Sequence, residues 1–462
     1  MIVARLTNST DKTLNNDPDF STSVVPQHAR MSKGSLTMAW WSLCSAMIWL
    51  LVSATLAMNY GTANAVTGLV LSVFTYGIIN SVISRYAIRT GLSVGLFSRK
   101  VYGKVGEILA TGIFFSIAIY YCVFEGSVIA VAIQHYFTQL ELWHAYLIVV
   151  LYSVPLVFGG VSQWLDKLNG ALLPFYYIGL FSAVALTVSQ YGYTDQWLNM
   201  GPENAQLNSD WWQCYSYFMG LWVMMMFTWD YARFGKIKDI KYLSNINFGI
   251  PFYLFTYLLN GVIGIFLVAT IPTEESLSEI SIVFALLKLM GLSGLLFIWV
   301  SQTRINTANF QLATVNLQAF IYRVFKLKLS KIVVAILVGA VVFSLMLTDV
   351  FSFILLALAY QSIFVVSWVV IALTYIFINK NKETYDEETI QASLQQPNVK
   401  YAGIFAWGIS SVTGVLMLNS SSEVSQYASL ATIIIAVTTY SLLQGMRNKA
   451  DIILKEVEYV ED

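Results

Sequence analysis

Two ionisable side chains sit where charge is expensive. Arg304 lies near the middle of the apolar stretch 291–316, GLSGLLFIWVSQTRINTANFQLATVN, and Glu125 lies within another, 107–133. About 20 apolar residues span a bilayer, and a charge at the centre of such a span costs roughly 2.5–3.5 kcal/mol even on a lenient insertion scale. A charge at that depth is paired or faces a cavity, and it marks a substrate or ion path. Guanidinium is a permanently charged group that only donates hydrogen bonds. A carboxyl can accept from N–H groups or carry a proton. Two arrangements follow: Glu125 and Arg304 clamp each other, or one or both face a cavity and meet substrate or a proton. Around Arg304 lie Gln302, Thr303, Asn306, Thr307 and Asn309. At helical spacing Gln302, Asn306, Asn309 and Ala313 share one face. Polar groups so placed either glue helices together or line a site.

The rest of the chain must position these groups inside a membrane. Of 462 residues, 57% are hydrophobic and 11% charged, with mean hydropathy +0.65. Soluble domains carry about 25% charged residues, so the composition is that of an all-α polytopic membrane protein whose solvent is the lipid bilayer. The formal net charge of zero gives no case for a nucleic-acid partner. Cys44, Cys122 and Cys214 show neither disulfide nor zinc spacing. No HExxH and no nucleophile–base pair is present, and His28, His135 and His144 fall at or outside span ends. An enzyme, a metal centre and a cofactor are therefore not expected. The first 34 residues are polar, so no cleavable signal peptide is expected.

Hydropathy predicts twelve spans, at about 35–58, 63–84, 107–133, 142–159, 170–189, 211–230, 248–271, 291–316, 332–347, 350–378, 402–418 and 427–446. An amphipathic segment, 277–290, precedes the eighth. Arg85, Arg89, Arg99, Lys100 and Lys104 fill a loop over 85–104; Arg233 to Lys241 and Arg323 to Lys331 fill two more. The intervening loops carry Glu141, Asp195, Glu203, Asp210, Glu274, Glu275, Asp349 and Glu423. This alternation obeys the positive-inside rule. It predicts a plasma (inner) membrane protein with both termini cytoplasmic. The chain divides into a cytoplasmic segment 1–34, a ten-helix core 35–378, a cytoplasmic loop 379–401, two peripheral helices 402–446 and a cytoplasmic tail 447–462.

Spans one and six hold small residues at mid-membrane, Ser42, Cys44, Ser45 and Ala46 in one and Gly220 in the other. If the core is two inverted repeats of five, these spans are equivalent, and transporters of that build bind substrate where such helices unwind. Spans three and eight are then equivalent too, and they carry the two charges.

Four segments resemble the nucleobase:cation symporter-1 family, which includes cytosine, uracil, allantoin and hydantoin permeases. They are VPQHARMSKGSLTMAWWSL, YCVFEG, FMGLWVMMMFTWDYARFGK and WVSQTRINTANFQLA. The resemblance in length, topology and segment order covers about residues 24–378. It implies a LeuT-type core of five plus five helices with two more at its edge. It implies a flat heterocycle stacked between aromatic groups at Tyr121 and at Trp222, or at Leu221 in a neighbouring register. Glu125 falls on the position of a substrate-binding amide and Asn309 on that of a substrate-binding Asn, with Gln302 and Asn306 on the same face. Where relatives hold sodium, carbonyls fall at about Ser42 and Ser45, and two hydroxyls map to Thr303 and Arg304. An arginine cannot ligate sodium, so Arg304 is expected to replace the ion. Glu125 is then the candidate for proton coupling. The predicted function is secondary transport of a nucleobase-like heterocycle, with an amino acid or amine as the alternative cargo. Substrate identity and oligomeric state stay open.

Overall fold

The computed structural model describes residues 20, 23–158, 166–202, 207–272, 280–348, 351–380, 385 and 387–461. Glu203, Glu274, Glu275, Asp349, the start of the segment 277–290, Glu383 and most of residues 1–23 lie outside it, as do side chains from 447 onward.

Every predicted span contains helix. In chain order these are α1 (Lys33–Tyr60), α2 (Thr62–Thr90), α3 (Val94–Tyr136), α4 (Leu142–Leu156), α5 (Asp166–Tyr191), α6 (210–232), α7 (Ile237–Thr270), α8 (Leu292–Phe325), α9 (Lys331–Met346), α10 (Ile354–Asn379), α11 (Tyr401–Leu418) and α12 (Ala428–Glu461). Eight of them, α1, α2, α3, α5, α7, α10, α11 and α12, are long and apolar enough to cross a membrane. The chain is thus an integral, multi-pass membrane protein. α4 and α9 are shorter, at 15 and 16 residues. α6 is interrupted, and α8 carries the polar cluster around Arg304. Ser281–Met290 forms a short helix against α8.

Several boundaries differ from the sequence reading: helical turns already cover 237–247, and α8 runs on from 316 to Phe325, both read as loop. The segment 85–104 is helix over most of its length rather than loop: α2 runs to Thr90 and α3 begins at Val94. A kink at Gly103 (φ +83°) sets the first turns of α3 at an angle. A side chain there would be strained by φ and would strike the backbone oxygens of Pro397 and Asn398. The kink lets Lys104 and Val105 donate to those two oxygens, at 3.2 and 2.9 Å. Lys100, read as a loop cation, is buried and donates to Tyr86 Oη (3.2 Å). At the other end, α12 continues through the segment read as a tail.

α3 lies along α8 through the centre of the molecule. Their buried faces carry Tyr121, Glu125, Gln302, Arg304, Ile305 and Asn309. α11 and α12 dock on α10 through serine pairs, Ser367–Ser410 (2.5 Å) and Ser362–Ser429 (2.8 Å). Hydroxyl pairs suit a lipid setting, where few other groups can satisfy them.

Candidate functional site

The break in α1 decides the site. Trp41–Ser45 winds as a 3₁₀ helix, Ala46 is extended (φ −64°, ψ 126°), and α-helix resumes at Ile48. Breaking a helix in lipid frees backbone groups that must find new partners. Here side chains supply them. Arg304 Nη2 donates to the Trp41 carbonyl at 3.2 Å. Trp49 Nε1 donates to Leu43 O at 2.8 Å. Asn260 Nδ2, from α7, donates to Cys44 O at 2.9 Å. The Met47 N–H donates to Gln302 Oε1 at 3.0 Å. The Ser45 hydroxyl donates to Ser301 O at 2.9 Å, tying the break to α8.

α6 behaves differently at the equivalent place. Gly220–Trp222 only tightens into a 3₁₀ turn, with helical angles throughout. Gly220 lies against the backbone of α10: a Cβ there would sit 2.3 Å from Leu358 O. Any larger residue would push the two helices apart.

Between the two interruptions lies a small cavity lined by Ala46, Ile48 and Trp49 of α1, Tyr121 and Glu125 of α3, Val223, Met224 and Phe227 of α6, and Ile305 and Asn309 of α8. Its volume, about 20 Å³, is the room of a water molecule. Glu125 is 1% exposed and accepts a hydrogen bond from Gln302 Nε2. Tyr121 donates its hydroxyl to Gln361 Oε1 of α10 at 3.0 Å, which fixes its ring beside the cavity. Chemically the site offers a carboxyl, an amide and three aromatic faces, from Trp49, Tyr121 and Phe227.

The sequence-predicted residues fall into three groups. Tyr121, Glu125 and Asn309 meet at the cavity. Leu221 and Trp222 are buried outside it, with the Trp222 ring 6.5 Å from Tyr76 and edge-on. The aromatic wall of α6 comes instead from Phe227, five residues on. Gln302 faces Glu125 and α1, while Asn306 turns toward Gly126 of α3 and has no hydrogen-bond partner for either side-chain atom. The third group surrounds the break. Ser42 and Ser45 spend their hydroxyls on the Ala39, Ser42 and Ser301 carbonyls. Thr303 points away, sharing a hydrogen bond with Tyr152 Oη of α4 (2.9 Å). Arg304 is fully buried among Cys44, Tyr176 and Tyr177. Its Nε and Nη1 make no hydrogen bond to oxygen or nitrogen, and the Cys44 thiol is their neighbour. Among the described residues no ion pair joins Arg304 to Glu125, so the two charges do not clamp each other.

Trp49, Ile48, Val223, Met224, Phe227 and Ile305 were not singled out from sequence. One signal was available: Val223–Phe227, Ile305–Asn309 and Tyr121–Glu125 are all i, i+4 pairs. Each helix therefore offers the cavity one stripe.

A second charged cluster lies at the basic end of the helices. It adds buried charges at the span ends to the two at mid-span. Glu107 accepts from Arg99 (2.6 Å) and pairs with Arg323 (2.7 Å), linking the start of α3 to the end of α8. Asp230 accepts from the Val94 N–H (3.0 Å) and from Asn316 (3.3 Å). Arg30, in the segment before α1, donates to the carbonyls of Ile88 and Gly235, each at 2.7 Å. Sequence places these groups at span edges, where solvent is the default; only packing buries them.

No family model matches the chain, and no curated protein matches it in sequence. Solved structures do. Mhp1, a nucleobase-cation-symport-1 family transporter, in a closed conformation with bromovinylhydantoin bound, superposes with a TM-score of 0.73 at 14% identity, covering 94% of this chain and 96% of that one. An inward-facing conformation of Mhp1 also gives 0.73, at 12% identity, covering 92% and 94%. The Eremococcus coleocola manganese transporter gives 0.53 at 13% identity over 92% and 96%. Identity at this level shows the fold, which is the all-α, LeuT-type transporter fold.

Proposed function

We propose that this protein is a divergent member of the nucleobase:cation symporter-1 group: a secondary transporter that carries a small, flat, polar heterocycle by alternating access. One observation carries the reading. A broken α1 and a tightened α6 face each other across a cavity that presents the Glu125 carboxyl, the Asn309 amide and aromatic rings. Adjacent N–H and C=O groups on a heterocycle match a carboxyl and an amide, and its faces match Tyr121, Trp49 and Phe227. The closed cavity has no room for a ring, so binding requires α1 to swing at its break.

Arg304 supports sodium independence. Its guanidinium already holds a break carbonyl, a role that elsewhere falls to a cation. Thr303, the second expected hydroxyl ligand, is turned to α4. A proton is the coupling ion left, and Glu125 is the carboxyl in the cavity that can carry it. The basic ends of α2, α6 and α8 support an orientation with both termini in the cytoplasm, in the plasma (inner) membrane.

A second cargo, one bearing a carboxylate, is favoured by the two Arg304 nitrogens, Nε and Nη1, whose N–H groups find no oxygen. Uptake into proteoliposomes of labelled uracil, cytosine, allantoin and amino acids, each measured separately, tests both. Saturable heterocycle uptake is expected. Uptake of amino acids alone would move the assignment to the second cargo.

A further inference from the structure

We infer that Gln302 is a positioning residue through which the protonation state of Glu125 sets the break in α1. The inference rests on Glu125 as the proton carrier and gives that proton a mechanical consequence.

Gln302 is wholly buried and does not line the cavity. Its amide is spent on two partners. Nε2 donates to the Glu125 carboxyl, and Oε1 accepts from the Met47 N–H at 3.0 Å. That N–H is free because Ala46 leaves the helical region. One amide therefore connects a cavity carboxyl on α3 to the backbone hinge of α1.

Charge fixes the direction of this connection. An ionised carboxylate only accepts, so it forces the amide to present its NH₂. The amide oxygen is then left for Met47, and the hinge is latched. A protonated carboxyl has a donor of its own. Its O–H competes for Gln302 Oε1, and the amide loses its fixed orientation. Once the amide turns, its NH₂ meets the Met47 N–H, two donors face each other, and the latch is lost. Protonation thus loosens the α1 break and deprotonation tightens it.

Among the described residues no other charged group competes for this role at the carboxyl. Tyr121 and Cys122 on α3 and Tyr176 on α5 are the titratable neighbours, and the ordinary values of phenol and thiol leave them uncharged at neutral pH. α6 presents Val223, Met224 and Phe227; α1 presents Ala46, Ile48 and Trp49. α4 and α9 pack on the far face through Val149 and Met346. Arg304 is turned to Trp41.

Cys44, wholly buried inside the break, is a built-in reporter. The test uses the full chain in lipid nanodiscs, with Cys122→Ala and Cys214→Ala so that Cys44 is the reactive thiol. Cys44 is labelled with a small methanethiosulfonate reagent across about pH 5 to 9, with and without Gln302→Met. Taking the ratio of the two rates at each pH cancels the ionisation of the thiol itself. The rates should agree at acid pH. At alkaline pH the chain with Gln302 should label roughly two- to tenfold more slowly, the effect of one hydrogen bond. Glu125→Gln should remove the pH dependence. A ratio that stays flat with Glu125 intact overturns the inference. Should Gln302→Met fail to fold, Gln302→Glu serves: two carboxyls sharing a proton hold it to higher pH. Read as the rate relative to the Glu125→Gln chain at each pH, which again cancels the thiol, the transition should then move upward, and an unmoved transition overturns the inference equally. The readout needs no substrate, so a chain that carries no heterocycle can still pass or fail this test.

Discussion

α1 and α6 occupy equivalent places in the two halves of the core, yet they are interrupted differently. In α1 the backbone truly leaves the helix, and four side chains from α1, α7 and α8 take over its freed carbonyls and N–H. In α6 the hydrogen-bond ladder only tightens, and the gap goes into close contact with α10 at Gly220. The first arrangement can be switched, because its partners are side chains, one of them bonded to a carboxyl. The second is fixed by backbone-to-backbone contact. The two halves share an architecture but differ in build; in the proposed alternating access α1 is the hinge and α6 the wall it moves against.

The predictions probe that division. The largest effect should follow removal of the amide that α8 presents to the cavity. Asn309→Ala leaves a polar substrate group unpaired, so affinity should fall about 5- to 150-fold. This is measured by binding of whichever heterocycle the uptake screen identifies, and an unchanged affinity would take Asn309 out of the site. Next comes the fixed wall. Gly220→Val should destabilise the protein by about 1–3 kcal/mol or more through overpacking against Leu358, read as a lower thermal midpoint in detergent. Ala46→Gly at the hinge should shift that midpoint far less. Equal shifts would erase the distinction between α1 and α6. A smaller effect separates the two aromatic candidates on α6. Phe227→Leu should weaken binding roughly two- to tenfold through lost ring contact, while Trp222→Leu should leave affinity unchanged, since Trp222 packs on Tyr76. The reverse ranking, measured by the same titration, would restore Trp222 to the cavity. The smallest expected change is none: uptake should persist when sodium is replaced by choline, because Arg304 serves the hinge carbonyl. A saturable sodium requirement would show that an ion acts there despite it.

Much of this molecule is legible in the residues themselves. Length, hydropathy and alternating loop charge give the helices and their order, because each span must satisfy its own backbone in lipid and so declares itself locally. The depth of Arg304 and Glu125 singles them out for the same reason. Tyr121 and Glu125 could be placed on one face because an i, i+4 stripe is a property of one helix; that Asn309 joins them was implied by the family resemblance, not by either segment. What sequence could not decide was which way each polar group turns. Arg304 and Glu125 read equally well as a clamp; the structure sends one to the Trp41 carbonyl and the other to Gln302. Trp222 and Phe227 are both aromatic, and only the 3₁₀ turn at Gly220 fixes which one faces the cavity. Glu107, Asp230 and Arg323 look like solvated ends until α3, α6 and α8 converge and bury them. These outcomes depend on helix rotation and crossing, set by side-chain packing among segments up to 263 residues apart, and no single segment records its partners.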